Sequence, residues 1–226
     1  MTTKVFSARA IEQLPERYRA NFINSLSGFK SANLVGTRSI NGVNNLALIS
    51  SVFHVGANPP LVGMIMRPHT VVRDTLSNIK ETGVYTINHV HSAIVEKAHQ
   101  CSARYAANVD EFKAVGLHAD ISSTINAPFV AESRIKIGLE LAQINVIELN
   151  QTELVIGRIV EVSVGASFLL DDGYVDIEKA DSVAVSCLDS YHRTERIDRY
   201  SYAKPEQALD SIWKKRTMEN THDPKS

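Results

Sequence analysis

The chain has 226 residues, with 24 Lys and Arg against 25 Asp and Glu and a hydrophobic share of 44%. It is long enough to bury a sizeable core, and its near balance of charge argues against nucleic acid or an anionic membrane as a partner. No run is long and apolar enough to span a bilayer, the start Met1-Thr2-Thr3-Lys4-Val5-Phe6-Ser7 lacks the apolar segment of a secretory signal, and the distant Cys101 and Cys187 support neither a disulfide framework nor a zinc ribbon, so a cytoplasmic location is expected.

The elements follow in chain order. Residues 15 to 27 read as a short helix, with Pro15 in its first turn, Tyr18, Phe22 and Leu26 at spacing four, and Gly28 as its stop. Residues 32 to 37 read as a strand, and Asn41-Gly42 as a tight hairpin turn leading back into residues 43 to 53. Asn58-Pro59-Pro60 breaks the chain before a strand from Leu61 to Met66. A helix is expected from about Thr70, with Val72, Leu76 and Ile79 on one face and Gly83 ending it, and Val84 to Asn88 is strand-like. Residues 92 to 116 read as helical and polar enough to lie on the surface. After Ala127-Pro128, two long strand-like runs, 133 to 148 and 153 to 164, flank the turn Leu149 to Thr152, and Asp171-Asp172-Gly173 is a loop. The tail from Pro205, carrying Leu209, Ile212 and Trp213, reads as a docked helix whose last ten residues fray. Mainly antiparallel strands with helical decorations, an α+β composition, predict one barrel domain.

The stretch MIMRPHTVVRDTLSNI, residues 64 to 79, concentrates charge where a helix already has it. A helix starting near Thr70 presents unpaired N–H groups and a partial positive charge, and Arg67 and Arg73 add two more. Guanidinium forks pair with phosphate oxygens, and the hydroxyls of Thr70 and Thr75 are donors beside them, so the stretch reads as a phosphate cradle without a glycine-rich loop. The alternative is a Thr-capped helix with solvated arginines. Upstream, Ser50 and Ser51 end an apolar strand and offer donors to a flat heterocycle; a strand ending in a polar turn is the plainer reading.

Taken in order, several stretches resemble the flavin reductase-like family, whose FMN-binding fold is an antiparallel split β-barrel. They are Asn41-Gly42 to Ala47, Ser50-Ser51, Asn58 to Val62, Arg67-Pro68, Arg73-Asp74-Thr75 with Asn78-Ile79, Thr82-Gly83 and Tyr85 to Asn88. Glu111-Phe112, Gly116-Leu117, the hairpin 133 to 164, Asp172-Gly173 and Tyr191 through Tyr202-Ala203-Lys204-Pro205 continue the series, so the resemblance covers roughly residues 24 to 205. It implies a homodimer with one FMN per protomer at or near the subunit interface. Arg67, Thr70, Arg73 and Thr75 would take the phosphate; Asn45, Leu46, Ile49, Ser50, Ser51 and Val52 would line the ring and ribityl chain, and Asn88 would run close by. Family members often carry an aromatic directly after the paired serines. Here Val52 stands there and Phe53 follows, which leaves open which of the two meets the flavin. The implied activity is NAD(P)H-linked hydride transfer to FMN and on to a small-molecule or protein acceptor. An electron-transfer module reduced by a partner, or a non-redox binder of a phosphorylated ligand, are the alternatives.

No protein nucleophile or general base stands out. His89 and His91 share a strand face but lack a third metal ligand at obvious spacing, so no metal is expected. His54 reads as a hydrogen-bonded surface histidine, with contact to substrate as the alternative, His99 and Cys101 as incidental on a surface helix, and Cys187 as a packed thiol rather than a catalyst paired with His192. Tyr191 to Arg196 reads as a solvated charged loop, with a substrate lid as the other possibility.

Overall fold

The computed structural model describes residues 2–68 and 74–213. Two short helices open the chain, α1 (Ala8–Glu12) and α2 (Glu16–Leu26). Pro15 is the N-cap of α2, and Gly28 takes the left-handed conformation just past its end. Neither helix buries a residue; the rings of Phe6, Tyr18 and Phe22 pack on one another instead.

The remaining elements are β1 (Lys30–Ser31), β2 (Asn33–Arg38), β3 (Asn44–Ile49), β4 (Val52–Ala57), β5 (Pro60–Met66), α3 (Asp74–Thr82), β6 (Val84–His89), α4 (Val95–Gln100) and α5 (Glu111–Val115). They are followed by β7 (Ala119–Asp120), β8 (Phe129–Val130), β9 (Ile135–Ile147), β10 (Thr152–Val164), β11 (Ala184–Ser186) and β12 (Ser190–His192). Seven strands form one antiparallel sheet in the order β3-β2-β6-β9-β10-β5-β4. Its two outermost strands, β3 and β4, are consecutive in the chain with only Ser50 and Ser51 between them. A sheet whose first and last strands are joined by two residues must curl until those edges meet at one corner. The edges meet there without pairing, and the result is a split barrel. Residues 43 to 53 are therefore not one strand: the chain turns at the serines, and Val52 begins a new strand against Met64 of β5.

Alternation along β2 divides the core in two. Val35 points into the barrel with Ile49, Met64, Tyr85, Leu139 and Val155, and Leu76 and Ile79 of α3 join this cluster with no exposed surface. Gly83 ends α3, its N–H bonded to the Ile79 carbonyl at 2.9 Å and its φ at +71°. Leu34 points the other way, to a second cluster with Leu46, Ile94, Ala98, Cys101 and Phe112. The expected polar surface helix over 92 to 116 is thus replaced by α4, α5 and connecting loops that cover the outside of β2 and β3. Ile94, Ala98 and Cys101, spaced four and three apart, form the inward stripe, and the polar residues between them face outward. Cys101 is buried, and desolvation pushes its thiol up to about 12.

Residues from Thr194 form a compact unit of their own, separate from that of residues 1–193. Within it Tyr200 bridges to Ser211, the Asp198 carboxylate accepts the Ser211 hydroxyl at 2.9 Å, and the Arg196 guanidinium lies 3.8 Å from the Trp213 ring centre. Pro205 and Glu206 make a turn rather than the start of the expected helix, and the final residues expected to fray lie outside the described ones. No helix among the described residues is long and apolar enough to cross a membrane.

Tyr85 illustrates how tightly the barrel is filled. Its hydroxyl is buried without a hydrogen-bond partner among the described residues, and a Cβ on Gly157 of β10 would collide with it. Tyr85→Phe is expected to leave stability unchanged or raise it by about 1 kcal/mol, since a buried unpaired hydroxyl is removed. Gly157→Ala should cost about 1–3 kcal/mol through overpacking. In the double variant the Phe should recover part of that loss, measured by urea denaturation.

Candidate functional site

The corner that closes the barrel is held by the Ser51 side chain. Its hydroxyl donates to the Ile65 carbonyl at 2.7 Å and accepts the Ile65 N–H at 3.2 Å, standing in for a ladder pair just before β4 begins. On the other flank the Asn33 amide donates to Ser31 Oγ at 2.8 Å. Ser50 is half-buried between these brackets. Ile49 and Val52 both turn into the barrel core. Phe53 does not: it is 43% exposed, and its ring lies over Gly63 so closely that a Cβ there would come within 2.7 Å of its Cζ. Val52 thus faces the core, and Phe53 presents an aromatic face outward.

Arg67 follows the last residue of β5. It is exposed and has no hydrogen bond or ion pair among the described residues. Thr70 and Arg73, the other expected phosphate ligands of this stretch, lie outside the described residues. From Asp74 the helix α3 is described, clipped to β10 by an ion pair of 2.6 Å between Lys80 and Glu153.

Thr75, expected beside the phosphate, is buried, and its hydroxyl turns inward. It lies 2.9 Å from the Asn45 side-chain amide, whose same terminal atom is 3.0 Å from the Thr37 hydroxyl. Asn78 donates to Thr37 Oγ1 at 3.0 Å. The opposite end of the Asn45 amide is 3.2 Å from Glu111 Oε1, while Glu111 Oε2 accepts the Leu46 N–H at 3.2 Å. Five buried polar side chains thus tie β2, β3, α3 and α5 together behind the start of the helix. A cavity of about 290 Å³ opens beside them, with Asn41, Asn45, Asp74, Asn78, Asn108 and Glu111 on its wall. Desolvation, aided by the neighbouring Asp74 and Asp110, raises the Glu111 carboxyl to about 6. Two carboxylates on its wall suit the cavity to hydrogen-bond donors rather than to an anion.

Two of the expected contacts, Asn88 and Leu46, are buried within the fold. Asn88 has no exposed surface: its NH2 donates to the Leu34 carbonyl at 3.1 Å and to Thr86 Oγ1 at 2.9 Å, and its oxygen accepts the Val130 N–H at 3.0 Å. Leu46 is enclosed in the outer core. Glu111, Asn78 and Thr37 are the side chains that residue-by-residue reading missed. Glu111 and Asn78 stood in the ordered series of matching stretches, but nothing local marked either as buried.

The other candidates resolve locally. His89 meets Ser182 Oγ at 3.2 Å, and burial lowers its pKa to about 4; His91 meets the Glu132 carbonyl at 3.1 Å. No group of three potential metal ligands occurs among the described residues. Cys187 sits at a turn with φ +52°, and the neighbouring His192 bonds to Ser186 and Ser190 at 2.8 and 3.2 Å. Of the segment read as a solvated loop, Tyr191 and His192 belong to β12, while Arg193 just past it stays exposed. Tyr191 bonds to His99 at 2.9 Å, and Arg193 reaches Ser92 at 2.7 Å and Asp181 at 3.4 Å.

Comparison with known proteins gives this geometry a context. Residues 29–182 match the family model described as flavin reductase like domain. A crystal structure from Shewanella frigidimarina, assigned as a flavin reductase with split barrel domain, is 49% identical with a TM-score of 0.86, covering 89% of this chain and all of that one. A 2-nitrobenzoate 2-nitroreductase of Pseudomonas fluorescens is 25% identical at TM-score 0.71, covering 86% of this chain and 94% of its own. Flavoredoxin of Desulfovibrio vulgaris is 27% identical at TM-score 0.66, covering 80% and 93% respectively.

Ser51→Ala would strand both the N–H and the carbonyl of Ile65 at the closing corner. It should cost about 1–3 kcal/mol, read from the shift in denaturation midpoint, and Ser51→Thr should retain most of the stability.

Proposed function

The chain belongs to the flavin reductase like domain family, and on that premise we propose that it is an FMN-dependent oxidoreductase that takes hydride from NADH or NADPH and passes reducing equivalents to a small-molecule or protein acceptor. The observation that carries the reading is the exposed Arg67 guanidinium, which has no partner among the described residues and follows β5 on the chain's way from the serine corner to α3. An exposed cation ahead of a helix fits a phosphate monoester, and the serine donors of the corner fit the polar edge of a ring. Flavin, when bound, supplies the hydride chemistry that no side chain here offers.

The chain's own part is binding and orientation. Arg67, with Thr70 and Arg73, would hold the phosphate, and Thr75 secures the helix start from behind. Ser50 and the backbone N–H groups at the corner would donate to the polar edge of the ring, where negative charge grows on reduction. The network of Thr37, Asn45, Thr75, Asn78 and Glu111 fixes the distance between corner and helix.

A second copy of the chain is the proposed cover for the outer face of β4, β5 and β10. Phe53, Gly63 and Ile156 stand in register there, with Ile65 opposite Leu154 beside them, all on the face opposite the core residues Val52, Met64 and Val155. A net charge of −1 opposes self-association little. The dimer would place this apolar face, and Phe53 with it, beside the cofactor corner.

The purified chain should be yellow and release FMN. Arg67→Ala should weaken FMN binding by about 1.5–3 kcal/mol, the worth of a hydrogen bond to a charged group, measured by fluorescence titration. Stopped-flow addition of NADH or NADPH should bleach the flavin. Bound FMN that neither nucleotide bleaches would favour an electron-transfer module, and absence of FMN would favour a non-redox binder. Phe53→Glu should shift the sedimentation coefficient from dimer to monomer.

A further inference from the structure

The Glu111–Asn45 contact has two hydrogen-bonding senses on one set of heavy atoms. With Glu111 ionised, the Asn45 NH2 faces Oε1 at 3.2 Å, and the amide oxygen accepts the hydroxyl protons of Thr37 and Thr75 at 3.0 and 2.9 Å. With Glu111 protonated, its O–H donates to the amide oxygen, and the NH2 donates to the same two hydroxyl oxygens. The Asn78 bond to Thr37 Oγ1 fits both senses. A single proton therefore decides which way the amide lies, and whether the hydroxyl of Thr75, the second residue of α3, spends its proton on Asn45.

The surroundings bias that proton. The carboxylates of Asp74 in α3 and Asp110 raise the pKa of Glu111, the buried Cys101 at the end of α4 is electrostatically coupled to it, and Lys113 is engaged with Asp110 at 3.9 Å. No described cation forms an ion pair with Glu111. The cavity beside Asn45 and Glu111 gives solvent protons a route in. An anion bound at the start of α3 would add to the two aspartates and disfavour a further negative charge at Glu111.

We propose that Glu111 is a positioning residue that couples binding of a phosphate-bearing cofactor at the start of α3 to the uptake of one proton, by turning over the Asn45 amide. This rests on the reading that the Arg67 corner holds the FMN phosphate. Burial already holds the carboxyl near 6, so the conversion falls within reach of neutral pH. The sign follows: binding favours the protonated form, so affinity rises as pH falls.

FMN titrated calorimetrically into flavin-free wild type and Glu111→Gln, in two buffers of different ionisation enthalpy between about pH 5.5 and 8, tests this. The phosphate of FMN itself ionises near pH 6, but it does so equally for both proteins and cancels in the comparison. Wild type should take up a larger fraction of a proton than the variant, and its affinity should fall up to about tenfold further across the range, as a one-unit shift requires. Equal uptake with parallel pH profiles would overturn the proposal and leave flavin binding intact. Failure of wild type to bind FMN at any pH would sink the flavin reading, and this proposal with it. Should Glu111→Gln not fold, infrared difference spectra of wild type at pH 7 decide. FMN should produce the carbonyl band of a protonated carboxylic acid and riboflavin should not; no band with FMN overturns the coupling.

Discussion

Ser50 and Ser51 are all that separates one edge of the sheet from the other. Two extended residues span only about 7 Å, so β3 and β4 cannot lie at opposite sides of an open sheet. Closure follows from connectivity, and the Ser51 hydroxyl makes it satisfiable by capping the Ile65 backbone where the ladder has not yet begun. Everything placed near the candidate site, from the outward Phe53 to the exposed Arg67, takes its position from that corner.

A second constraint is polar. Thr37, Asn45, Thr75, Asn78 and Glu111 come from β2, β3, α3 and α5, and each is buried. Buried polar groups are expensive unless every one is paired. Paired as they are here, they fix the helix start against the sheet more specifically than aliphatic packing would. The apolar side of α3, through Leu76 and Ile79, supplies adhesion to the barrel; the polar side supplies register.

Much of the fold was legible in the sequence because its signals are local. Asn41-Gly42, the Asn58-Pro59-Pro60 break, Gly83 after a helical stripe and the long paired strands around residue 150 each carry their own chemistry. The ordered series of weak motifs then identified the split barrel. What escaped was non-local. Ser50-Ser51 read as the end of a strand, since nothing nearby says that the next strand pairs on the far side of the sheet. Thr75 read as a phosphate ligand because its sequence neighbours are charged, and nothing local showed that its hydroxyl also lies 2.9 Å from the side-chain amide of Asn45, thirty residues away. Residues 92 to 116 read as surface because polar side chains outnumber the few apolar ones that cover β2 and β3. Asn88 likewise gave no sign that both ends of its amide are consumed within the fold.

The sheet order also bears on how the chain is made. The hairpin of β9 and β10 inserts between β6 and β5, joining two groups of strands that precede it in sequence and do not pair with each other. Until residues 135–164 leave the ribosome, β6 and β5 each present an unpaired edge, and such edges invite strand addition from other nascent chains. The barrel is thus completed by its late hairpin, and the interval before that hairpin emerges is when the chain has most need of a chaperone.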